Sequence, residues 1–248
     1  MKTFRADLHV HTVLSPCAEV EMIPPLIVQK ALEQNIDIIA ITDHNASANV
    51  GAVQKAAQGT SLTVLPGMEV QSREDVHLLT LFETLDALAA WQTKVDNALP
   101  DLPNQPEFFG EQFVVDETGQ FIRTESRLLL NSTNLSIDEI FECGKALGGI
   151  VIPAHVDRSA YGLFPTLGLI SETWDLLALE ISSQITPEKA AIAFPAIRKH
   201  PLIQSGDVHR LEEFLGTTVF NLASPILMEL RMAFHHIDGR EVCIEIGK

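Results

Sequence analysis

Short apolar runs alternate with longer amphipathic stretches along the first third of the chain. The run at 36–42 is rich in β-branched residues, which is typical of a buried strand. The elements that this alternation predicts are strands at 4–12, 36–42, 62–66 and 77–82 and helices at 24–34 and 48–58. Strands and helices in regular succession predict an α/β fold with a parallel sheet.

Residues 83–148 interrupt this succession. The elements predicted inside the segment are a helix at 85–99, a hairpin at 113–123 and a helix to 147 that begins with a capping box of Ser136 and Glu139. The succession then resumes, with strands at 150–155, 177–181, 202–209 and 242–246 and helices that begin at Pro187 and Leu227. We therefore expect one domain, residues 1–248, in which 83–148 is an insertion that acts as a lid or an oligomer contact.

Composition and charge narrow the classes of function. Hydrophobic residues make up 46% of the 248 residues, which is typical of a globular protein. The net charge of −16 predicts repulsion from a phosphate backbone, so no extended nucleic-acid partner is expected. The sequence has no apolar segment typical of a signal peptide or a membrane span, so no membrane partner is expected. Three widely spaced cysteines indicate no disulfide framework and favour a cytoplasmic location.

The first predicted strand ends in His9-Val10-His11. Side chains two residues apart on a strand point to the same face, so these two imidazoles can be directed at one point. Imidazole is a common ligand of divalent metals, although two histidines near the N-terminus can equally be ordinary surface residues. The spacing alone therefore leaves a metal site and a surface pair both open.

Histidines recur at the edges of the other predicted strands. Of nine histidines, those at strand edges are His9, His11, His44, His77, His155 and His209. Two acidic residues, Glu69 and Asp207, lie at similar positions. The carboxyl ends of parallel strands converge on one face of an α/β fold, and that face carries the functional site. We therefore expect these side chains to form a metal centre.

Five segments resemble the PHP family, which joins polymerase-associated and histidinol-phosphatase domains. They are DLHVHT at 7–12, ITDH at 41–44, PGME at 66–69, PAH at 153–155 and SGDVH at 205–209. Together they span nearly the whole chain. The resemblance implies a distorted (β/α)7 barrel related to the TIM barrel, a centre of two or three divalent transition metals (zinc, manganese or iron), and hydrolysis of phosphate esters.

The resemblance also implies three metal subsites. The first would be held by His9, His11, Glu69 and Asp207. Glu69 would bridge to the second, which His77 and His155 complete, and His44 and His209 would be ligands of the third. The remaining ligand of the third site is usually His or Asp in the family, and here Cys17 takes that position. A thiolate suits zinc, so Cys17 is expected as a ligand, with a structural role as the alternative.

Catalytic roles are expected for Glu69, Asp207 and His209. Closely spaced metals can share a hydroxide, lower its pKa and direct it at phosphorus. Arg158 and Arg210 are expected to bind the phosphate, since arginine matches phosphate geometry, although Arg158 can instead pair with Asp157.

Several nearby residues have open interpretations. Asp7 and Asp43 can orient imidazoles, or Asp43 can fix a turn. Glu180 ends a predicted strand on the side of the site, with a structural role as an equal alternative. Tyr161 and Phe164 can line a substrate pocket or cover the barrel mouth.

The sequence thus favours a metal-dependent phosphoesterase. The expected partner is a small phosphorylated metabolite or nucleotide, and a homo-oligomer is left open. The alternatives are a histidinol phosphatase, an amidohydrolase-type metal hydrolase and a non-catalytic metal-binding accessory domain.

Overall fold

A computed structural model of the chain describes residues 1–245. The strands are β1 (Lys2–Val10), β2 (Ile38–Ile41), β3 (Thr63–Gln71), β4 (His77–Leu81), β5 (Phe113–Val115), β6 (Phe121–Thr124), β7 (Ile150–Pro153), β8 (Leu179–Ile181), β9 (Leu202–Gln204), β10 (Thr218–Leu222) and β11 (Glu241–Ile244). The α-helices are α1 (Pro24–Glu33), α2 (Val50–Ala56), α3 (Leu85–Ala98), α4 (Pro106–Phe109), α5 (Ile137–Ala146), α6 (Leu163–Leu167), α7 (Pro187–Ala193) and α8 (Leu227–Phe234). Ile246, the predicted end of the last strand, lies outside the described residues.

The main sheet has seven strands in the order β11-β10-β1-β2-β3-β4-β7. The pairs β1–β2 and β2–β3 are parallel, whereas β3–β4, β4–β7, β1–β10 and β10–β11 are antiparallel. The pair β8–β9 is parallel and forms a separate two-stranded sheet. The α/β class is as expected, but in residues 1–245 the strand pairing forms an open mixed sheet and not a continuous (β/α)7 barrel.

The reversal at β4 has a local cause. β3 runs on to Gln71, and Ser72 N donates a hydrogen bond to Val76 O at 2.9 Å, so the chain turns back at once into His77. A parallel crossover needs a dozen or more residues, usually including a helix, and this connection is far too short. The prediction of a parallel sheet is therefore wrong for β4 and for β7, which pairs with it.

Strand β2 and residues 6–10 of β1 are buried on both faces. In β2, Ile38 and Ala40 pack in one apolar cluster with Leu230 and Phe234 of α8. The alternate residues Ile39 and Ile41 pack in another cluster with residues of α1 and α2. Burial on both faces explains why the sequence of β2 is continuously apolar.

The insertion, residues 83–148, contains the predicted hairpin as β5 and β6. The predicted capping box is confirmed, because Ser136 accepts from the backbone of Glu139 and donates its own backbone N–H to the Glu139 carboxylate. Trp91 of α3 is fully buried in the same apolar cluster as Ile39 and Ile41. Among residues 1–245, no helix is both long and apolar enough to cross a membrane.

Candidate metal centre

Glu69 lies at the middle of the cluster of histidines. Its carboxylate is buried in β3, and imidazole nitrogens surround both oxygens. Oε1 lies 2.7 Å from His77 Nδ1, 3.2 Å from His155 Nε2 and 3.3 Å from His9 Nε2. Oε2 lies 2.8 Å from His44 Nδ1 and 3.4 Å from His11 Nε2. One carboxylate thus contacts imidazoles from four segments of the chain.

Asp207 completes a group with His9, His11 and Glu69. Its Oδ1 lies 3.2 Å from Nε2 of both His9 and His11. In this group, four candidate ligand atoms lie within 4.8 Å of one another. His9 Nε2, His11 Nε2, Glu69 Oε2 and Asp207 Oδ1 are buried, and despite their short contacts none of them makes a hydrogen bond of suitable geometry. Unpaired buried polar atoms are costly, and two imidazole nitrogens with two carboxylate oxygens are a donor set that fits a divalent transition metal.

Contacts on the far side of each ring fix the direction of the two β1 histidines. His9 Nδ1 lies 2.9 Å from Glu180 Oε2, and His11 Nδ1 lies 2.9 Å from Ser15 Oγ. Both rings therefore present Nε2 to the centre. Such contacts behind the ligands are typical of metal sites because they fix the orientation and tautomer of the imidazole.

The aspartates next to the ligands hold backbone segments. Asp43 accepts hydrogen bonds from Thr12 N at 2.7 Å and from Ser15 Oγ at 2.8 Å, so it orients His11 only through Ser15. Asp7 accepts from Gly206 N at 3.1 Å, which anchors the segment that carries Asp207. Burial raises the pKa of Asp7 to about 7.

Several residues of the site adopt backbone angles that side chains rarely tolerate. Asn45, His155, Tyr161 and Asp207 have φ of 49°, 29°, 60° and 50°. Next to Asp207, a Cβ on Gly206 would lie 2.1 Å from the carbonyl oxygen of Glu213, so that position requires glycine. Non-glycine residues with positive φ are uncommon and concentrate at functional sites.

Two further groups of candidate metal ligands have His44 in common. One consists of His44, Glu69 and His77, and the other of His11, His44 and His209. His155 was expected to complete the second subsite, and it contacts Glu69.

Cys17 is exposed and lies outside these groups, although it lines the same cleft. Although the residue as a whole is exposed, its thiol is partly desolvated, which opposes ionisation, but the charge of His44 and hydrogen bonds to His209 and His44 lower the pKa of Cys17 to about 6.

Neighbouring charges shift the pKa values of His9 and Glu69 in opposite directions. Burial acts to lower the pKa of His9, but the carboxylates of Asp207, Glu180 and Glu69 raise it well above the usual value. Burial acts to raise the pKa of Glu69, but His77, His9 and His44 hold it well below its usual range. Glu69 is therefore ionised at neutral pH, as a bridging metal ligand must be.

A cleft of about 690 Å³ opens above these residues. Arg158 and Arg210 both line it. The guanidinium of Arg158 donates to Asp207 Oδ2 and not to Asp157, whose carboxylate accepts from Ser182. Arg210 forms an exposed ion pair of 2.8 Å with Glu19.

The two aromatic residues singled out in the sequence lie in different surroundings. Tyr161 lines the cleft and stacks on His77 with ring centroids 4.4 Å apart. Phe164 is buried in the core and stacks on Phe194, so it does not line the cleft. Ser15 was not predicted, because a serine in an irregular stretch carries no signal of its contact with His11.

The model of the PHP domain matches residues 7–142, which is more than half of the chain. The chain belongs to the PHP domain family. Over 80 residues it is 30% identical to the 5'-3' exoribonuclease Rnm of Salmonella typhimurium, and this match takes in 30% of the chain and 26% of the exoribonuclease. The match therefore takes in about a quarter of that relative's length.

Solved structures share the fold at low sequence identity. The lesion-specific endonuclease PfuEndoQ of Pyrococcus furiosus superposes with a TM-score of 0.74 at 18% identity, covering 97% of this chain and 58% of the endonuclease. An amidohydrolase from Chromobacterium violaceum, solved with sulfate and no metal, has a TM-score of 0.59 at 17% identity, and the match covers 97% of this chain and 98% of that one.

The expectation that only a small substrate binds, and no extended nucleic acid, is wrong. Endonuclease Q, whose fold superposes with a TM-score of 0.72, has been solved with a 27-mer duplex that carries an abasic lesion at the active site. The net charge of −16 is a sum over the whole chain. It does not describe this cleft, which imidazoles and two arginines line together with the carboxylates of Glu69, Asp207 and Glu213.

Proposed function

We propose that this PHP domain is a metal-dependent phosphodiesterase that hydrolyses nucleic acid. The observation that carries the proposal is the set of four buried ligand atoms of His9, His11, Glu69 and Asp207 that converge without forming hydrogen bonds, next to an open cleft. The similarity to an exoribonuclease over 80 residues and the fold shared with a DNA endonuclease support a nucleic-acid phosphodiester as the substrate.

The residues of the centre divide into those that hold metal and those that orient them. His9, His11, Glu69 and Asp207 would hold one ion, and Glu69 would share a second with His77 and His155. His44 and His209, with Cys17 beside them, would hold a third. When bound, such ions supply Lewis acidity and lower the pKa of water. Imidazole ligands add no negative charge, so the centre attracts a phosphate within an acidic protein.

Arg158 supplies the contact to the phosphate. Its guanidinium holds Asp207 Oδ2, while Asp207 Oδ1 faces His9 and His11. The Arg158 side chain is 41% exposed, so a phosphate that enters the cleft can reach it. Arginine has five N–H donors, and it can therefore bind a phosphate oxygen while it continues to position Asp207.

The cleft has room for a nucleotide. Its volume of about 690 Å³ falls within the range typical of ligand sites, roughly 300–1,000 Å³. Charged groups line it, and so do the exposed aromatic rings of Tyr161 and Phe109. A nucleotide presents the same two parts, a charged phosphate and an apolar base.

A hydrolysis screen on metal-loaded protein tests the proposal. Purified protein is treated with chelator, reloaded with manganese, zinc or iron, and incubated with single-stranded RNA, single-stranded DNA, duplex DNA with an abasic site, and a phosphomonoester. We expect cleavage of at least one nucleic acid, dependent on added metal and absent in Glu69→Gln. Hydrolysis of the monoester alone, or no hydrolysis with any metal, would contradict the proposal.

A further inference from the structure

We propose that the ring of Tyr161 stacks on a base of the nucleic-acid substrate, next to the phosphate that is hydrolysed. This inference rests on the proposed function and assigns to one side chain the recognition of the base. Tyr161 is the only tyrosine of the chain, and it is 44% exposed at the wall of the cleft.

The position of the ring is fixed by the centre itself. Tyr161 stacks on the imidazole of His77 with centroids 4.4 Å apart and an angle of 7° between the ring planes. The backbone N–H of His77 donates to the carbonyl oxygen of Tyr161 at 3.0 Å. Because His77 contacts Glu69 at 2.7 Å, the tyrosine is two contacts away from the bridging carboxylate. A base on this ring would therefore lie close to a phosphate bound at the centre.

The loop that carries Tyr161 is closely packed on itself and also carries Arg158. Arg158 N donates to His155 O at 2.9 Å, and a Cβ on Gly162 would lie 2.2 Å from the carbonyl oxygen of Arg158. Position 162 therefore requires glycine, and this brings the backbones of Arg158 and Gly162 close together. The loop presents a guanidinium and an aromatic ring to the same cleft, three residues apart, which matches the phosphate and the base of one nucleotide.

The backbone of Tyr161 is strained, with φ of 60°. Positive φ is unfavourable for a bulky aromatic residue, and asparagine or glycine adopts it at lower cost. A half-exposed ring in a strained position contributes little to the core. The strain is explained if the exposed ring has a binding role, since strain of this kind concentrates at ligand sites.

Binding of matched dinucleotide analogues tests the inference separately from hydrolysis. The probe is a thymidine dinucleotide in which methylene groups replace both bridging oxygens of the phosphodiester, so that neither link to phosphorus can be hydrolysed. It is compared with two analogues that each lack one of the two bases. Dissociation constants are measured by calorimetry on manganese-loaded protein. The variants are Tyr161→Asn, which removes the ring and suits the backbone, Tyr161→Phe, which keeps the ring, and Phe108→Ala.

Phe108 is the matched control because it is 77% exposed and does not line the cleft. We expect the wild-type protein to bind the intact probe about 10-fold more tightly than one of the base-deleted analogues, as stacking on one aromatic ring predicts. Tyr161→Asn should abolish this preference, with metal content unchanged, whereas Tyr161→Phe and Phe108→Ala should keep it.

Three results would overturn the inference. In the first, the wild-type protein binds the intact probe no more tightly than either base-deleted analogue. In the second, the preference for the intact probe survives in Tyr161→Asn. In the third, the preference is lost in Tyr161→Phe, which would assign the effect to the hydroxyl group. If the proposed function fails instead, the wild-type protein hydrolyses no nucleic acid in the metal screen. That outcome is read from hydrolysis alone and is independent of the ratio of dissociation constants.

Discussion

His9 and Glu180 form a buried hydrogen bond of 2.9 Å between Nδ1 and Oε2, although they lie 171 residues apart in the chain. The same oxygen of Glu180 accepts from the backbone N–H of His155 at 3.0 Å. Glu180 is the middle residue of β8 in the separate β8–β9 pair, so it links that pair to β1 and to the segment that follows β7. One carboxylate thereby positions two candidate ligands, His9 by its ring and His155 by its backbone.

Replacing Glu180 should weaken metal binding without removing a ligand. Glu180→Ala leaves the His9 ring free to rotate, and we expect metal affinity to fall about 10- to 100-fold. Competition with a chelator of known affinity measures the change. Glu188→Gln, an exposed position on α7, is the matched control and should bind metal as the wild type does. Equal affinity in Glu180→Ala would show that the hydrogen bond to His9 has no positioning role.

Glu69 should be the most sensitive position of the centre, because both of its oxygens face imidazoles. In Glu69→Gln the bridging charge is lost while the volume is kept. We expect a lower metal-to-protein ratio and a fall of about 10³-fold or more in the rate of hydrolysis. Elemental analysis and single-turnover assays measure the two effects. A variant that keeps the wild-type metal ratio would contradict the assignment of Glu69 as a bridging ligand.

Arg158 should affect substrate binding more than metal content. A hydrogen bond to a charged group is worth roughly 1.5–3 kcal/mol, so Arg158→Ala should raise KM about 10- to 100-fold. Arg158→Lys should recover only part of this loss, since an ammonium lacks the paired donors of arginine. Arg123→Ala, in the exposed strand β6, is the control and should leave KM unchanged. An unchanged KM in Arg158→Ala would remove this residue from the phosphate site.

Cys17 should matter only for the third subsite. Cys17→Ser is expected to lower the metal-to-protein ratio by no more than one ion, and an unchanged ratio would remove Cys17 from the ligands. Alkylation gives a second measurement. Because the pKa of Cys17 is about 6, its thiolate predominates at pH 7.5 and should react with iodoacetamide, and added zinc should slow that reaction. Cys243, whose pKa burial raises, should react slowly with or without zinc.

The composition of the centre could be predicted from the sequence, but its contacts could not. The strand-end rule brings His9, His44, Glu69 and Asp207 to one face because it depends only on the order of strands and loops. The partner of Arg158 depends on how two distant loops meet, and the adjacent Asp157 faces Ser182 instead. Local sequence carries no information about such a choice.

In the fold too, some elements could be predicted from the local sequence and others could not. The boundaries of α1, α3 and α8 follow from prolines, caps and apolar spacing, and they agree with the predictions within a few residues. β10 was not predicted, since its five residues include Thr218 and Asn221 and show no clear alternation. It becomes a strand by pairing antiparallel with β1, more than 200 residues earlier in the sequence. Tertiary pairing of this kind overrides local propensity.

The insertion has apolar contacts that a mobile lid would lack. Leu129 is 1% exposed and belongs to a cluster with Leu14, Ala46 and Val114. The side-chain amide of Asn45 donates to the carbonyl oxygen of Leu129 at 2.9 Å. Leu14 and Ala46 lie next to Ser15 and Asn45 in the loops that carry the centre. We therefore propose that the insertion supports these loops as part of the core.

Two alanine substitutions within the insertion distinguish a structural role from a lid. Leu129→Ala should lower the free energy of unfolding by about 2–4 kcal/mol, because it leaves a cavity in a closed cluster. Ile122→Ala, at a position that is 58% exposed, should change it by less than about 0.5 kcal/mol. Denaturant titration followed by tryptophan fluorescence measures both. A second experiment deletes residues 101–131. The insertion is a lid if Leu129→Ala is as stable as Ile122→Ala and if the deletion leaves a folded protein that keeps its metals but has an altered substrate range.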